Sequence, residues 1–230
     1  MNKPEWTITL FPPPPGSDRT LIYVPIVHSE ADLGSLAEEI RRQLSDAFGA
    51  DSLQQAARSV EAMWASLHSH FAAFPFAWDK VKLYQDGLAV CGMEEQIVHD
   101  LAGQKSTNHQ VLVELMKRGA KLMGTEDPKL LVRDYHRIQK LVQAARDRAP
   151  DSVVEPLKRE GELLLQERDL YIAQRIDSTL EEGETGILCI GLLHHVTEHL
   201  EGKMGVRWAK HHLPISENAW RKLKGERHGN

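Results

Sequence analysis

Apolar residues in this chain fall into two kinds of run, and the two kinds alternate. Short, nearly unbroken runs read as buried strands. One is Leu21-Ile22-Tyr23-Val24-Pro25-Ile26-Val27, ahead of His28; another is Gly186-Ile187-Leu188-Cys189-Ile190-Gly191-Leu192-Leu193, ahead of His194 and His195. Between them, apolar residues recur at helical spacing. Leu33, Leu36, Ile40 and Leu44 share one face, and Leu53, Ala56, Val60, Met63, Trp64 and Leu67 share the next. The spacing predicts strands over 20–28, 80–85, 120–123, 186–190 and 204–208. It predicts helices over 33–48, 51–73, 93–103, 108–118, 128–146 and 156–182, and a short one over 194–200. Strands alternating with helices predict an α/β fold: a single domain with a mixed, mostly parallel β-sheet covered by helices.

The punctuation agrees with the pattern. Asp51 and Ser52 are placed to cap the second helix, Gly119 to stop the fourth, and Pro128 to open the fifth after Asp127. Pro25, lacking a backbone donor, calls for a bulge or an edge position in its strand. Phe11 is followed by four consecutive prolines, so residues 1–18 read as an extended Pro-rich arm. The α/β domain then spans 19–213, and a polar basic tail with Arg221, Lys222, Lys224 and Arg227 spans 214–230.

Composition narrows the class of protein. With 230 residues, 41% of them hydrophobic, the chain can bury a substantial core unaided. A net charge of −5 gives no global attraction to nucleic acid or to anionic membranes. The amino terminus has no basic segment leading into an apolar stretch, and no run approaches the roughly 20 apolar residues of a membrane span. Cys91 and Cys189 are the two cysteines, too few for a disulfide scaffold. A cytoplasmic location without a membrane is therefore expected.

Candidate chemistry sits where strands end, because ligands of open α/β sheets bind at the carboxyl ends of the strands. Four such ends carry polar groups: His28 with Glu30 and Asp32, Asp86, Glu126 with Asp127, and His194 with His195. Imidazole with carboxylate is a ligand set for a divalent metal such as Mn, Fe, Co or Zn. The same groups serve equally as general base and acid. Helix capping accounts for Asp127. The long helix adds an anomaly: Asp169 falls on the apolar stripe of Leu165, Ile172, Ile176 and Leu180, with Arg168 beside it. A core-facing charge must be paired, so this pair either anchors helix to sheet or brings Arg168 to the cleft.

Two pattern matches are weaker. His195-Val196-Thr197-Glu198-His199 fits the inverted zinc-protease pattern, but few residues follow to supply a third ligand; a shared helical face still allows His195 and His199 to hold a metal together. Gly103-Gln104-Lys105-Ser106-Thr107 lacks the glycine before lysine that a phosphate loop requires.

Glu167-Arg168-Asp169, Ile172-Ala173, Ile176 and Leu180, then Gly191-Leu192-Leu193-His194, Leu200 and Gly205-Val206 follow one another in a telling order. They resemble the closing segment of the superfamily that includes TraB/Tiki-type proteins, ChaN-type haem-binding proteins and erythromycin esterases. In that group an arginine-bearing helix leads to a strand ending in G-x-x-H, then a short helix and a final strand. A histidine motif follows the first strand, as in Val27-His28-Ser29-Glu30, and a carboxylate follows the second, as at Asp86. The chain departs from the pattern at Pro25, where a glycine is usual, and at Asp86, where a glutamate is. Members include metalloproteases, a metal-independent esterase and haem binders, so the resemblance implies a site but not one chemistry.

The preferred reading is a hydrolase of peptide or ester bonds. His28 and His194 bind a divalent metal or activate water, Glu30 and Asp86 are further ligands or proton acceptors, and Arg168 stabilises the oxyanion. The metal set would be His28, Asp86 and His194. The alternative is a non-catalytic protein binding haem or another small ligand, with the arm serving homo-oligomer association. A third reading is a structural module whose polar strand ends only cap helices.

Overall fold

Strand β2 (Thr20–Ile26) is the spine of the molecule, and its alternation sorts the core into two layers. Ile22, Val24 and Ile26 point to one face, and Leu21 and Tyr23 to the other. The computed structural model describes residues 7–28, 34, 36–211 and 213. Within them, β1 (Thr7–Phe11), β2, β3 (Val81–Gln85), β4 (Lys121–Met123), β5 (Thr185–Gly191) and β6 (Gly205–Ala209) form one sheet in the order β1-β6-β2-β5-β3-β4. All pairs are parallel except β1 with β6. The expected single α/β domain with a mixed, mostly parallel sheet is thus observed.

Helices cover both faces. On one side α2 (Ala50–Ala73), α3 (Glu94–Gly103) and α4 (Thr107–Lys117) bury Trp64, Leu67, Phe71, Val98 and Leu112 against the sheet. On the other, α6 (Asp151–Thr179) lays Ile172, Ala173 and Ile176 over Tyr23, Tyr84, Leu188 and Ile190. α1 (Ala37–Phe48) pairs with α2, and α5 (Pro128–Arg146) with α6. Among the described residues, no helix is long and apolar enough to cross a membrane. Cys189 lies in the core, where burial pushes its thiol up to about 12.

Four expectations need correction. The stretch read as an arm contains a strand: Thr7–Phe11 alternates β-formers and pairs antiparallel with β6, Thr7 opposite Ala209. The prolines that follow it dominated the composition. Asp51 and Ser52 do not cap α2, which starts at Ala50 directly after Gly49 with no side-chain cap. α6 starts at Asp151, five residues before Pro156, which is accommodated inside the helix. The short helix is a 3₁₀ turn of four residues, Val196–His199. Pro25 meets its expectation locally: β6 pairs with β2 over Thr20 to Tyr23, so beyond that β2 has β5 alone as a neighbour, with Pro25 opposite Ile190. Asp127 caps α5 as expected, its carboxylate accepting from the Lys129 N–H at 2.7 Å. The tail read over 214–230 lies outside the described residues.

Candidate functional site

The carboxyl ends of β2, β3, β4 and β5 converge, and Asp86 stands at their centre. It follows β3 directly, and its backbone N–H bonds to the Cys189 carbonyl of β5. Its two carboxylate oxygens have different work. Oδ2 accepts from His28 Nε2 and from the Gly191 N–H, both at 2.9 Å, and lies 3.4 Å from His194 Nε2. Oδ1 accepts from Arg168 Nη2 at 3.0 Å. Burial opposes the charge on Asp86, but His194 and His28 outweigh it and hold the carboxyl well below its usual range. The side chain is 4% exposed, so this anion is fixed, not solvated.

His194 is buried between two carboxylates. Its Nδ1–H donates to Asp169 Oδ1 at 2.5 Å, and its Nε2 faces Asp86. Burial alone would lower its pKa, yet Asp86 and Asp169 together push it up to about 9. At neutral pH it is an imidazolium. Asp169 also accepts from the His195 N–H at 2.8 Å, so the charge found on the apolar stripe ties α6 to the loop after β5. Tyr23 completes the corner, its hydroxyl donating to the His194 carbonyl at 3.1 Å.

Arg168 is committed to carboxylates. Nε and Nη2 grip Glu126 at 2.6 and 2.8 Å, Nη2 also reaches Asp86, and Nη1 donates to Asp134 Oδ2 at 3.0 Å. Glu126 is fully buried, with the Gly87 N–H donating to it at 2.7 Å. Burial and the nearby Asp86 raise its pKa, against the pull of Arg168. The role expected for Arg168 was oxyanion stabilisation; its geometry is that of a clamp joining β3, β4 and α5.

Of the residues read from sequence, His28, Asp86, Arg168 and His194 come together. Glu30 and Asp32 lie outside the described residues. The His28 side chain is 37% exposed, far more than its partners, and it lines a cleft bordered by α1 and α2. Sequence reasoning noted Glu126 without placing it in the site, and Asp169 as an anomaly. It missed Asp134, one charge among many on a polar helix. It also missed the Gly191 N–H, which no side-chain pattern reports.

The metal set His28, Asp86 and His194 meets through hydrogen bonds. His28 Nε2 and His194 Nε2 both face Asp86 Oδ2, so a divalent ion held there would have to displace the protons these two rings share with the carboxylate. Among the described residues, no three His, Cys, Asp or Glu side chains are arranged to hold one. His195 and His199 do not form a pair either. The 3₁₀ geometry, about three residues per turn, carries them off a common face, and His195 turns to Glu198 at 3.5 Å.

What remains is one accessible histidine held by a buried carboxylate, which is itself held by two cations and a backbone amide. Such a group can take a proton from water or bind a ligand in the adjoining cleft. No family model, no curated protein and no solved structure matches the chain, so its likeness to the TraB/Tiki, ChaN and erythromycin esterase group rests on the motifs quoted above.

Proposed function

We propose that the protein is a hydrolase of ester or amide bonds in which His28 is the general base. The observation that carries this reading is the His28–Asp86 bond at 2.9 Å, made by an exposed imidazole to a buried, fixed carboxylate. Because the Nε2 proton is committed to Asp86, the lone pair of the neutral ring is on Nδ1. That nitrogen takes a proton from water as the oxygen attacks the substrate carbonyl. The C–O or C–N bond then breaks, and the leaving group recovers the proton from His28. His194, Arg168 and Asp169 are positioning residues: they keep Asp86 ionised and in place.

The test is hydrolysis of a panel of nitrophenyl esters and peptides by the full chain, with metal content measured alongside. His28→Ala should lower kcat by about 10²–10⁴-fold, the usual contribution of a general base, and Asp86→Asn should also lower it while leaving KM nearly unchanged. Activity untouched in both variants, or none on any substrate, overturns the reading. A second reading, small-ligand binding without chemistry, is favoured by the apolar wall of the cleft beside His28. For haem the readout is a visible absorption band that disappears in His28→Ala.

A further inference from the structure

The apolar stripes of α1 and α2 do not seal against each other. Ile40 and Leu44 on α1, and Leu53, Ala57 and Val60 on α2, line a cleft of about 590 Å³. That lies within the range of pockets that enclose small organic ligands, roughly 300–1,000 Å³. Leu44 remains 39% exposed there.

Three features state the chemistry of the occupant. Lys105 lines the cleft and makes no ion pair among the described residues. It stands just past α3 at φ 68°, where the Lys105 N–H reaches the Ala102 carbonyl and the Ser106 N–H reaches that of Leu101. Glycine normally closes a helix in this left-handed conformation, so a lysine here is held against its preference. Second, α4 begins beside it with Thr107 on the cleft wall, adding the partial positive charge of a helix start. Third, Trp64, 1% exposed, lines the same cleft, and its indole N–H finds no acceptor among the described residues.

We infer that this cleft binds an amphipathic anion: an elongated apolar carbonyl compound, about the size of a fatty acyl chain, carrying one carboxylate or phosphate group. Lys105 and the Thr107 end of α4 read the anion, and the apolar stripes hold the body. The further step, that the carbonyl is presented to His28, rests on the hydrolase reading.

The experiment is displacement of cis-parinarate from the full chain by dodecanoate, dodecyl phosphate and dodecanol. Both anions should bind at one site, at least tenfold tighter than the alcohol. Lys105→Met should abolish that preference, and Ala57→Phe, which fills the cleft from a solvent-exposed position, should weaken all three at least tenfold. No saturable binding, a preference for the alcohol, or a preference that survives Lys105→Met overturns the inference. So does a wild-type dimer in sedimentation that Ala57→Phe dissociates, since a second copy would then cover the cleft. If the anions bind as expected but a long-chain ester that keeps one free carboxylate, such as a dodecanedioate monoester, is not cleaved, the cleft stands and the hydrolase reading falls.

Discussion

Asp86 does at one position what two or three residues do in a looser site. It fixes the ring of His28, holds the proton on His194 and meets Arg168, and its room to do so is set by Gly191. A methyl group on Gly191 would stand 2.9 Å from Asp86 Oδ2 and 3.0 Å from His28 Nε2. Gly191→Ala must therefore push the two apart. The expected outcome is a loss of hydrolysis nearly as deep as in His28→Ala, with a folded protein by circular dichroism; full activity in Gly191→Ala would remove Asp86 from the proposed mechanism. His194 gives a pH signature. Its pKa in the fold, about 9, lies above the ordinary 6.5. The stabilisation is thus complete below about pH 6.5 and lost as the pH rises through 9, roughly 3 kcal/mol in all. An NMR titration of the His194 ring should show a midpoint near 9. A midpoint near 6.5 would mean that the two carboxylates do not hold its proton. At this scale the sequence was informative for strand ends, because a histidine directly after a buried run has few places to go. It marked Gly191 only as the glycine of a G-x-x-H motif and was silent on Asp134; the contacts of both depend on distances that no spacing encodes.

At the scale of elements, α6 is what turns separate strand ends into a site. Arg168 and Asp169 are adjacent, so they leave the helix about 100° apart. One reaches the ends of β3 and β4, the other the loop after β5. Removing the arginine leaves Glu126 and Asp86 buried beside each other without their shared cation. Arg168→Met should cost about 3–5 kcal/mol in urea denaturation. The penalty should shrink as the pH falls, because Glu126, whose pKa is raised by burial, then takes up a proton. A penalty independent of pH would show that the clamp acts by packing alone. The long helix itself was legible from its stripe, and the misplaced charge on that stripe was a true signal of helix-to-strand anchoring. The apolar stripes of α1 and α2 were equally legible but ambiguous. Periodicity reports that a face is apolar, not whether another element covers it, and here part of it faces a cleft. Lys105 was discarded with a failed phosphate pattern, although its position beside that cleft is what gives it a role.

In the whole molecule, the site and the sheet's outer edge are separated along β2. β6 supports β2 from Thr20 to Tyr23, while the site lies beyond Ile26 at the opposite end. β1 in turn covers β6, with Ile8 and Leu10 left on the surface at 43% and 37% exposure. Removing residues 1–11 would bare the edge of β6, and a bared edge offers unpaired backbone groups to a second chain. The truncated protein should melt several degrees lower and self-associate in sedimentation. Yet the His194 ring should keep its titration midpoint near 9, because none of the groups that hold it belongs to β1 or β6. If the midpoint moved with the truncation, the sheet would be transmitting strain from its edge to Asp86, and the site would be a property of the whole sheet. If it stayed, the pairing of β2 with β5 and of β5 with β3, clamped by α6, would be sufficient to build the site.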